Sequence, residues 1–255
     1  MTDICKDTTD DAFLNGRLRL RQPKAGHRAG HDAILLAAAT AALPGQRVAD
    51  FGAGVGTAGL ALARRIGAID LDLIEIDPAL AALARANALA NKLPARVLTL
   101  DLCAGAAAFV EADLPPDSVD VVLMNPPYND PGRHRGSPDA QRRVAHVATE
   151  TTLQGWVHAA RRVLRSGGAL TLIWRADGLA DILAALDRGF GALMVLPVHG
   201  DPAAPAIRVI VRAVKGGRAP LALLPSIALR DAEGRPHPYI EKILAGELAL
   251  SLSSA

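Results

Sequence analysis

Apolar positions along this chain keep changing their period. From about Gly30 onward, stretches with apolar residues three or four apart alternate with short runs of consecutive aliphatics. The first pattern fits helices with one buried face, the second fits strands buried on both faces. His31 to Ala42 reads as a helix ended by Pro44-Gly45, and Arg47 to Phe51 as a short strand running into a glycine loop. Thr57 to Arg65 reads as a helix, Leu71 to Ile76 as a strand, and Pro78 to Asn91 as a helix with proline in its first turn. Arg96 to Leu100 and Val119 to Met124 read as strands. Thr151 to Arg165 reads as a helix ending before Gly167-Gly168, Ala169 to Trp174 as a strand, and Asp177 to Asp187 as a helix.

This rhythm predicts an α/β fold with a parallel sheet and helices on both faces. The end of the chain breaks it. Leu193 to Val198 and Ile207 to Val214 are strands joined by HGDPAAPA, which leaves no room for a helix, so they are predicted to be antiparallel neighbours. The sheet is therefore mostly parallel, with one antiparallel strand at an edge. A length of 255 residues suits one such domain, and a composition that is 50% hydrophobic rules out global disorder.

Two candidate features fall at strand ends. The first strand leads into DFGAGVG, Asp50 to Gly56, where glycines permit a tight turn and close approach of a ligand to the backbone. The next strand delivers Glu75, placed to accept both hydroxyls of a ribose, and the third delivers Asp101, placed to accept from an adenine amino group or to cap the helix near Cys103. Gly54, Gly56 and Gly59 also spell G-x-G-x-x-G, with Glu75 about twenty residues on, so this loop alone fits a nicotinamide dinucleotide equally well.

The fourth strand ends in LMNPPYND, Leu123 to Asp130. Two prolines stop the strand and fix its backbone. The Asn125 side-chain carbonyl and the Pro126 backbone carbonyl form an acceptor pair for the two N–H groups of a planar amine. Holding both would draw the nitrogen toward tetrahedral geometry and free its lone pair. Pro127 helps to lock that corner, and Tyr128 is placed to stack on the ring. A dehydrogenase has no evident need for this corner.

DFGAGVG, LIEID, LDLC and LMNPPY together resemble the class I S-adenosylmethionine-dependent methyltransferases, in the branch that modifies amino groups. With RLRLRQPKAGHRAGHDAILLA near the start, the chain resembles the bacterial tRNA1(Val) adenine-37 N6-methyltransferase family from about Phe13 to about Gly246. The resemblance implies a Rossmann-like, doubly wound, seven-stranded sheet over 31–255, preceded by a 1–30 extension that forms a lid. It implies that Asp50, Gly52, Gly54 and Gly56 line the methionine part of S-adenosyl-L-methionine, that Glu75 binds its ribose, and that Asp101 and Leu102 meet its adenine. Asn125, Pro126 and Tyr128 would hold the target amine, and Gly26 to Asp32, with Arg28 and Asp32 on the cofactor side, would close over the pocket. Relatives of this kind act on RNA adenine, RNA guanine, DNA adenine or a protein glutamine, and some carry O-methyltransferase labels, so the substrate class stays open.

Charge bears on that choice. Net charge is only +2, yet basic residues cluster at Arg17, Arg19, Arg21, Lys24 and Arg28, at Arg133, Arg135, Arg142 and Arg143, and at Arg208, Arg212, Lys215 and Arg218. Such patches suit tRNA or another RNA as partner, or are ordinary solvated faces. Arg142, Arg143 and His146 would contact phosphate or simply begin a surface helix. Two cysteines cannot build a disulfide framework or a zinc cluster, and His27, His31 and Asp32 lack a further ligand pair, so no metal is expected. The polar start MTDICKDTTDD is no signal peptide, and the longest apolar run, Ala33 to Leu43, is too short to span a bilayer. A cytoplasmic protein is expected. Its oligomeric state is open, a homodimer included.

Overall fold

A hairpin precedes the alternation. In the computed structural model, which describes residues 8–25, 28–127 and 152–252, β1 (Thr8–Phe13) pairs antiparallel with β2 (Leu18–Pro23). The signal was present in Leu18-Arg19-Leu20-Arg21-Gln22, which alternates with period two, and both leucines are fully buried. One edge of β2 meets β1. The other meets α3 (Pro78–Ala90), whose asparagines stand in for a neighbouring strand. Asn87 accepts from Arg21 N at 2.8 Å and donates to Arg21 O at 3.1 Å, and Asn91 does the same for Arg19 at 3.0 and 2.6 Å. The two asparagines are one helical turn apart and the two arginines two strand residues apart, so both spacings match.

The rest follows the predicted order with small shifts at element ends: α1 (His31–Ala39), β3 (Arg47–Phe51), α2 (Thr57–Ile66), β4 (Asp70–Glu75), then α3, β5 (Arg96–Thr99), α4 (Ala106–Glu111) and β6 (Val119–Met124). Helix α5 covers 152–163. It leads directly into β7 (Leu164–Arg175), which runs through the glycine pair that was expected to separate them; the register with β6 shifts there, so the extra residues are absorbed as a bulge. Then come α6 (Leu179–Leu186), β8 (Phe190–His199), β9 (Ala206–Lys215), the two-residue strands β10 (Ala222–Leu223) and β11 (Ile227–Ala228), and α7 (Pro238–Leu244).

The seven long strands lie in the order β5-β4-β3-β6-β7-β9-β8, with β10 and β11 pairing along the outer side of β8. The antiparallel strand is β9. It sits one strand in from the end, between β7 and β8. Helices cover both faces: α1, α2, α7 and the hairpin leucines share one core cluster, while α4, α5 and α6 border the other. The connections reverse direction at β3, which pairs with β4 on one side and β6 on the other. In such sheets the crevice beyond this switch point receives ligands.

Candidate active site

Register places the central residues in one row. Phe51 pairs with Ile74 on one side and with Met124 on the other. Glu75, Gly52 and Asn125 are the next residues on three adjacent strands, so all three emerge together at the carboxyl edge.

The glycine loop is built by its neighbours. Gly52, Gly54 and Gly56 all have positive φ, at 69°, 57° and 91°, which side chains other than glycine rarely adopt. Gly59 has a different reason to lack a side chain: a Cβ there would fall 2.6 Å from Leu73 and 3.0 Å from Asp50 Oδ2. Its amide instead donates to Asp50 Oδ2 at 2.8 Å, so Asp50 caps the first turn of α2. Glu75 braces the loop from the next strand. Its Oε2 accepts from Gly54 N at 2.8 Å and its Oε1 from Asp77 N at 2.9 Å. Asp77 then caps α3, accepting from Ala79 N at 2.7 Å ahead of Pro78.

Asp50 is fully enclosed. Loss of solvation pushes its carboxyl up to about 7, the Gly59 amide pulls it down, and the nearby Glu75 charge pushes it up further. Asp101 is exposed and folds back on its own turn, accepting from Cys103 N at 2.8 Å; the helix it was expected to cap begins later, at Ala106. Leu102 is buried beside it.

The corner after β6 carries a buried polar atom that lacks a partner. Asn125 Oδ1 is buried and has no hydrogen-bond partner among the described residues. Pro126 is buried and Pro127 exposed. Leaving a buried carbonyl unpaired costs about 1–3 kcal/mol, so this oxygen suits a donor that arrives with a ligand. Tyr128, Gly26, His27, Arg133, Arg135, Arg142, Arg143 and His146 lie outside the described residues.

Arg28 and Asp32 are engaged by side chains outside the glycine loop. Arg28 pairs with Asp11 at 2.5 Å and donates to Thr9 at 2.9 Å, which ties the segment before α1 to β1. Gln22 adds a second tie, accepting from Ala29 N at 2.9 Å. Asp32 in the first turn of α1 pairs with Arg208 of β9 at 2.8 Å. The basic residues near the end of the chain are likewise partly engaged, with Lys215 held by Asp117 at 2.7 Å. No group of three or more potential metal ligands occurs among the described residues.

Two residues at this edge escaped the sequence reading. Trp156 of α5 packs against the glycine loop, where a methyl group at Gly52 would overlap its indole. Ile76 follows Glu75 with 61% of its surface exposed, an apolar platform at a strand end. The signals were a tryptophan in a chain only 3% aromatic, and an isoleucine placed just past a buried strand.

A glycine cradle, a carboxylate on the next strand and an acceptor corner at the switch point define the class: an S-adenosylmethionine-dependent methyltransferase. The chain belongs to the family described as Methyltransferase small domain, whose profile matches residues 30–197. A tRNA1(Val) (adenine(37)-N6)-methyltransferase of Porphyromonas gingivalis is 31% identical over 178 residues, 68% of each chain. One of Dickeya chrysanthemi is 28% identical over 216 residues, 82% of each. Among solved structures, one from Agrobacterium tumefaciens described as a predicted O-methyltransferase superposes with TM-score 0.73 at 31% identity, covering 88% of this chain and 100% of that one. The Thermus thermophilus 16S rRNA N2 G1207 methyltransferase, bound to S-adenosylmethionine and guanosine, shares the fold at TM-score 0.54 and 22% identity, covering 82% of this chain and 50% of that one. No helix among the described residues is long and apolar enough to cross a membrane.

Proposed function

We propose that this protein methylates the N6 amino group of an adenine in tRNA. The observation that carries the reading is Asn125 Oδ1 at the switch point, buried and without a partner among the described residues. It is an acceptor held by a strand on one side and two prolines on the other. With the Pro126 carbonyl it would take both N–H groups of an exocyclic amine, leaving the nitrogen lone pair directed away from the ring plane. A hydroxyl has only one hydrogen to give, so the same corner serves O-methylation less well. Relatives with a tRNA adenine N6 activity in their names, at about this level of similarity over most of the chain, support the same choice.

S-adenosylmethionine supplies an electrophilic methyl group on a sulfonium. Gly52, Gly54 and Gly56 would admit its methionine portion, Glu75 would turn from the loop amides to the ribose, and Asp101 and Leu102 would meet the adenine, with Ile76 beneath it. Asp50 would act through the loop by holding α2. Tyr128 would stack on the target base, which in a tRNA loop is already accessible without flipping. Arg28 and Asp32 would hold the lid in place through Asp11 and Arg208. The hairpin arginines would offer phosphate contacts, and the protein would work in the cytoplasm.

The test is transfer of label from tritiated S-adenosylmethionine to total tRNA from a strain lacking this gene, followed by digestion to nucleosides. Label is expected in N6-methyladenosine. Asn125→Ala should lower turnover by about 10³-fold while binding of S-adenosylhomocysteine stays within about twofold. Label that enters only protein or small molecules would move the assignment to a glutamine or an O-methyl acceptor.

A further inference from the structure

On the helical face away from the glycine loop, three arginines line one cleft of about 330 Å³, part of it open to solvent. Arg17 comes from the β1–β2 turn, and Arg64 and Arg65 from the last turn of α2. The floor is apolar, formed by Leu14, Ile34, Ala37, Ala61 and Ile243 among others. No acidic side chain lines this cleft. None of the three arginines is paired with a carboxylate among the described residues; their partners are backbone carbonyls.

Each guanidinium instead caps a different helix. Arg65 donates to Ala37 O at 2.9 Å and Thr40 O at 2.6 Å at the end of α1, Arg64 to Asn91 O at 2.7 Å at the end of α3, and Arg17 to Ala245 O at the end of α7 and to Leu14 O at 3.2 Å. A helix C-terminus carries about half a negative charge. Three such ends offset only about half of three full positive charges, so the cleft keeps a net charge of roughly +1.5. Nε of Arg64 and Nε of Arg65 are buried and have no partner among the described residues, so neither guanidinium is fully satisfied by the helix ends. Burial pulls the Arg65 guanidinium below its usual value, as expected of a cation that lacks its counter-ion.

We infer that the Arg17–Arg64–Arg65 cleft is a binding site for a phosphate group, filled in the working complex by the RNA backbone. Guanidiniums bind oxyanions through paired N–H groups, so a cleft lined by three of them and by no carboxylate suits a phosphate. Arg64 lies near the far end of α2 from the glycine loop, about 12 Å along the helix from Gly56, so the phosphate would belong to a different nucleotide from the one being methylated. The RNA occupant rests on the tRNA reading; the anion chemistry does not.

The experiment compares wild type with Arg17→Gln, an exposed position that should fold normally, and with Arg64→Gln. Two probes are used: an unmodified tRNA, by fluorescence anisotropy over a range of salt, and inorganic phosphate, by thermal shift. S-adenosylhomocysteine affinity serves as the folding control and should not change. Each variant is expected to weaken tRNA binding about five- to tenfold and to reduce the slope of log K against log salt by about 0.7–0.9, one phosphate contact. Inorganic phosphate should raise the melting temperature of wild type and not of the variants. Phosphate stabilisation that depends on Arg17, without tRNA binding by wild type, would keep the anion site, assign it to a free phosphate, and remove the tRNA reading. A wild-type protein that binds tRNA with an affinity and salt slope untouched by either variant, or phosphate stabilisation equal in all three proteins, would overturn the site.

Discussion

Toward the amino end of the sheet, the carboxylate of Asp72 is 4% exposed and lies between two guanidiniums, Arg47 at 3.0 Å and Arg96 at 2.7 Å. Near the carboxyl end Asp50 is 2% exposed and receives one backbone amide, with Glu75 as a like-charged neighbour. The two aspartates occupy adjacent strands, yet one is fully compensated and the other is not. The amino end spends its buried charge on stability. The carboxyl end leaves a carboxylate and a carbonyl short of partners, which is the condition of a surface prepared for a ligand.

The largest test of that difference is pH. The folded Asp50 keeps its proton up to about pH 7, whereas an unfolded aspartate loses it near 3.8. Between these values the folded state binds more protons, so its contribution to stability is present at low pH and is lost as pH rises from about 4 through 7. The full shift corresponds to a loss on the order of 4 kcal/mol. Urea midpoints measured from pH 4 to 8 should show this decline in wild type, and Asp50→Asn should flatten it while keeping the Gly59 bond. An unchanged slope in that variant would mean Asp50 is ionised throughout and the two ends are more alike than their partners suggest.

Asp72→Ala attacks the compensated end. It leaves half-buried Arg47 with only Asp113 as a partner and should cost about 3 kcal/mol, read as a lower denaturant midpoint. Affinity for S-adenosylhomocysteine should stay within about twofold, because no residue of the glycine loop touches this cluster. A large loss of cofactor affinity would show that the ends are coupled through β4.

Gly52→Ala attacks the other end. The positive φ and the Trp156 ring both oppose a Cβ, so cofactor affinity should fall about 10–30-fold, or about 2 kcal/mol. Adding Trp156→Ala removes the collision but not the backbone strain, and should restore only part of the affinity. Full restoration would make the tryptophan the sole reason for a glycine here.

What could be read from the sequence follows from how local its causes are. The run Arg47 to Phe51 into DFGAGVG, the proline-started helix α3 and the NPPY strand end are each dictated within a few residues, and all three were legible. So was the alignment of Glu75 and Asn125 beside the glycine loop, since a parallel sheet brings strand ends to one edge. The β1–β2 hairpin was not read: Thr8 to Asp11 has little strand character by itself, and the arginines of β2 drew attention as charge rather than as the outer half of an alternating pattern. The contacts that locate Arg28 and Asp32 depend on Asp11 and on Arg208 in β9, far away along the chain. Trp156 reaches Gly52 only because α5 passes over the strand ends, and Arg17 meets Arg64 and Arg65 only once the hairpin has docked.

That docking gives the smallest of these tests. Asn87 and Asn91 make matching bonds to β2, but only Asn87, 1% exposed, also donates to Val55 O in the glycine loop at 3.0 Å. Asn91→Ala removes its two hydrogen bonds to β2 and a third to Asn87 O at a half-buried position, where water can replace part of what is lost, and should cost about 1 kcal/mol with no change in cofactor affinity. Asn87→Ala removes the link to Val55 as well and strands that carbonyl beneath the loop. It should lower stability further and weaken S-adenosylhomocysteine binding several-fold. Calorimetry on the pair therefore separates a stabilising contact from one that also shapes the site, one helical turn apart on the same face. If both variants lose affinity equally, the hairpin as a whole, not the Asn87–Val55 bond, holds the loop.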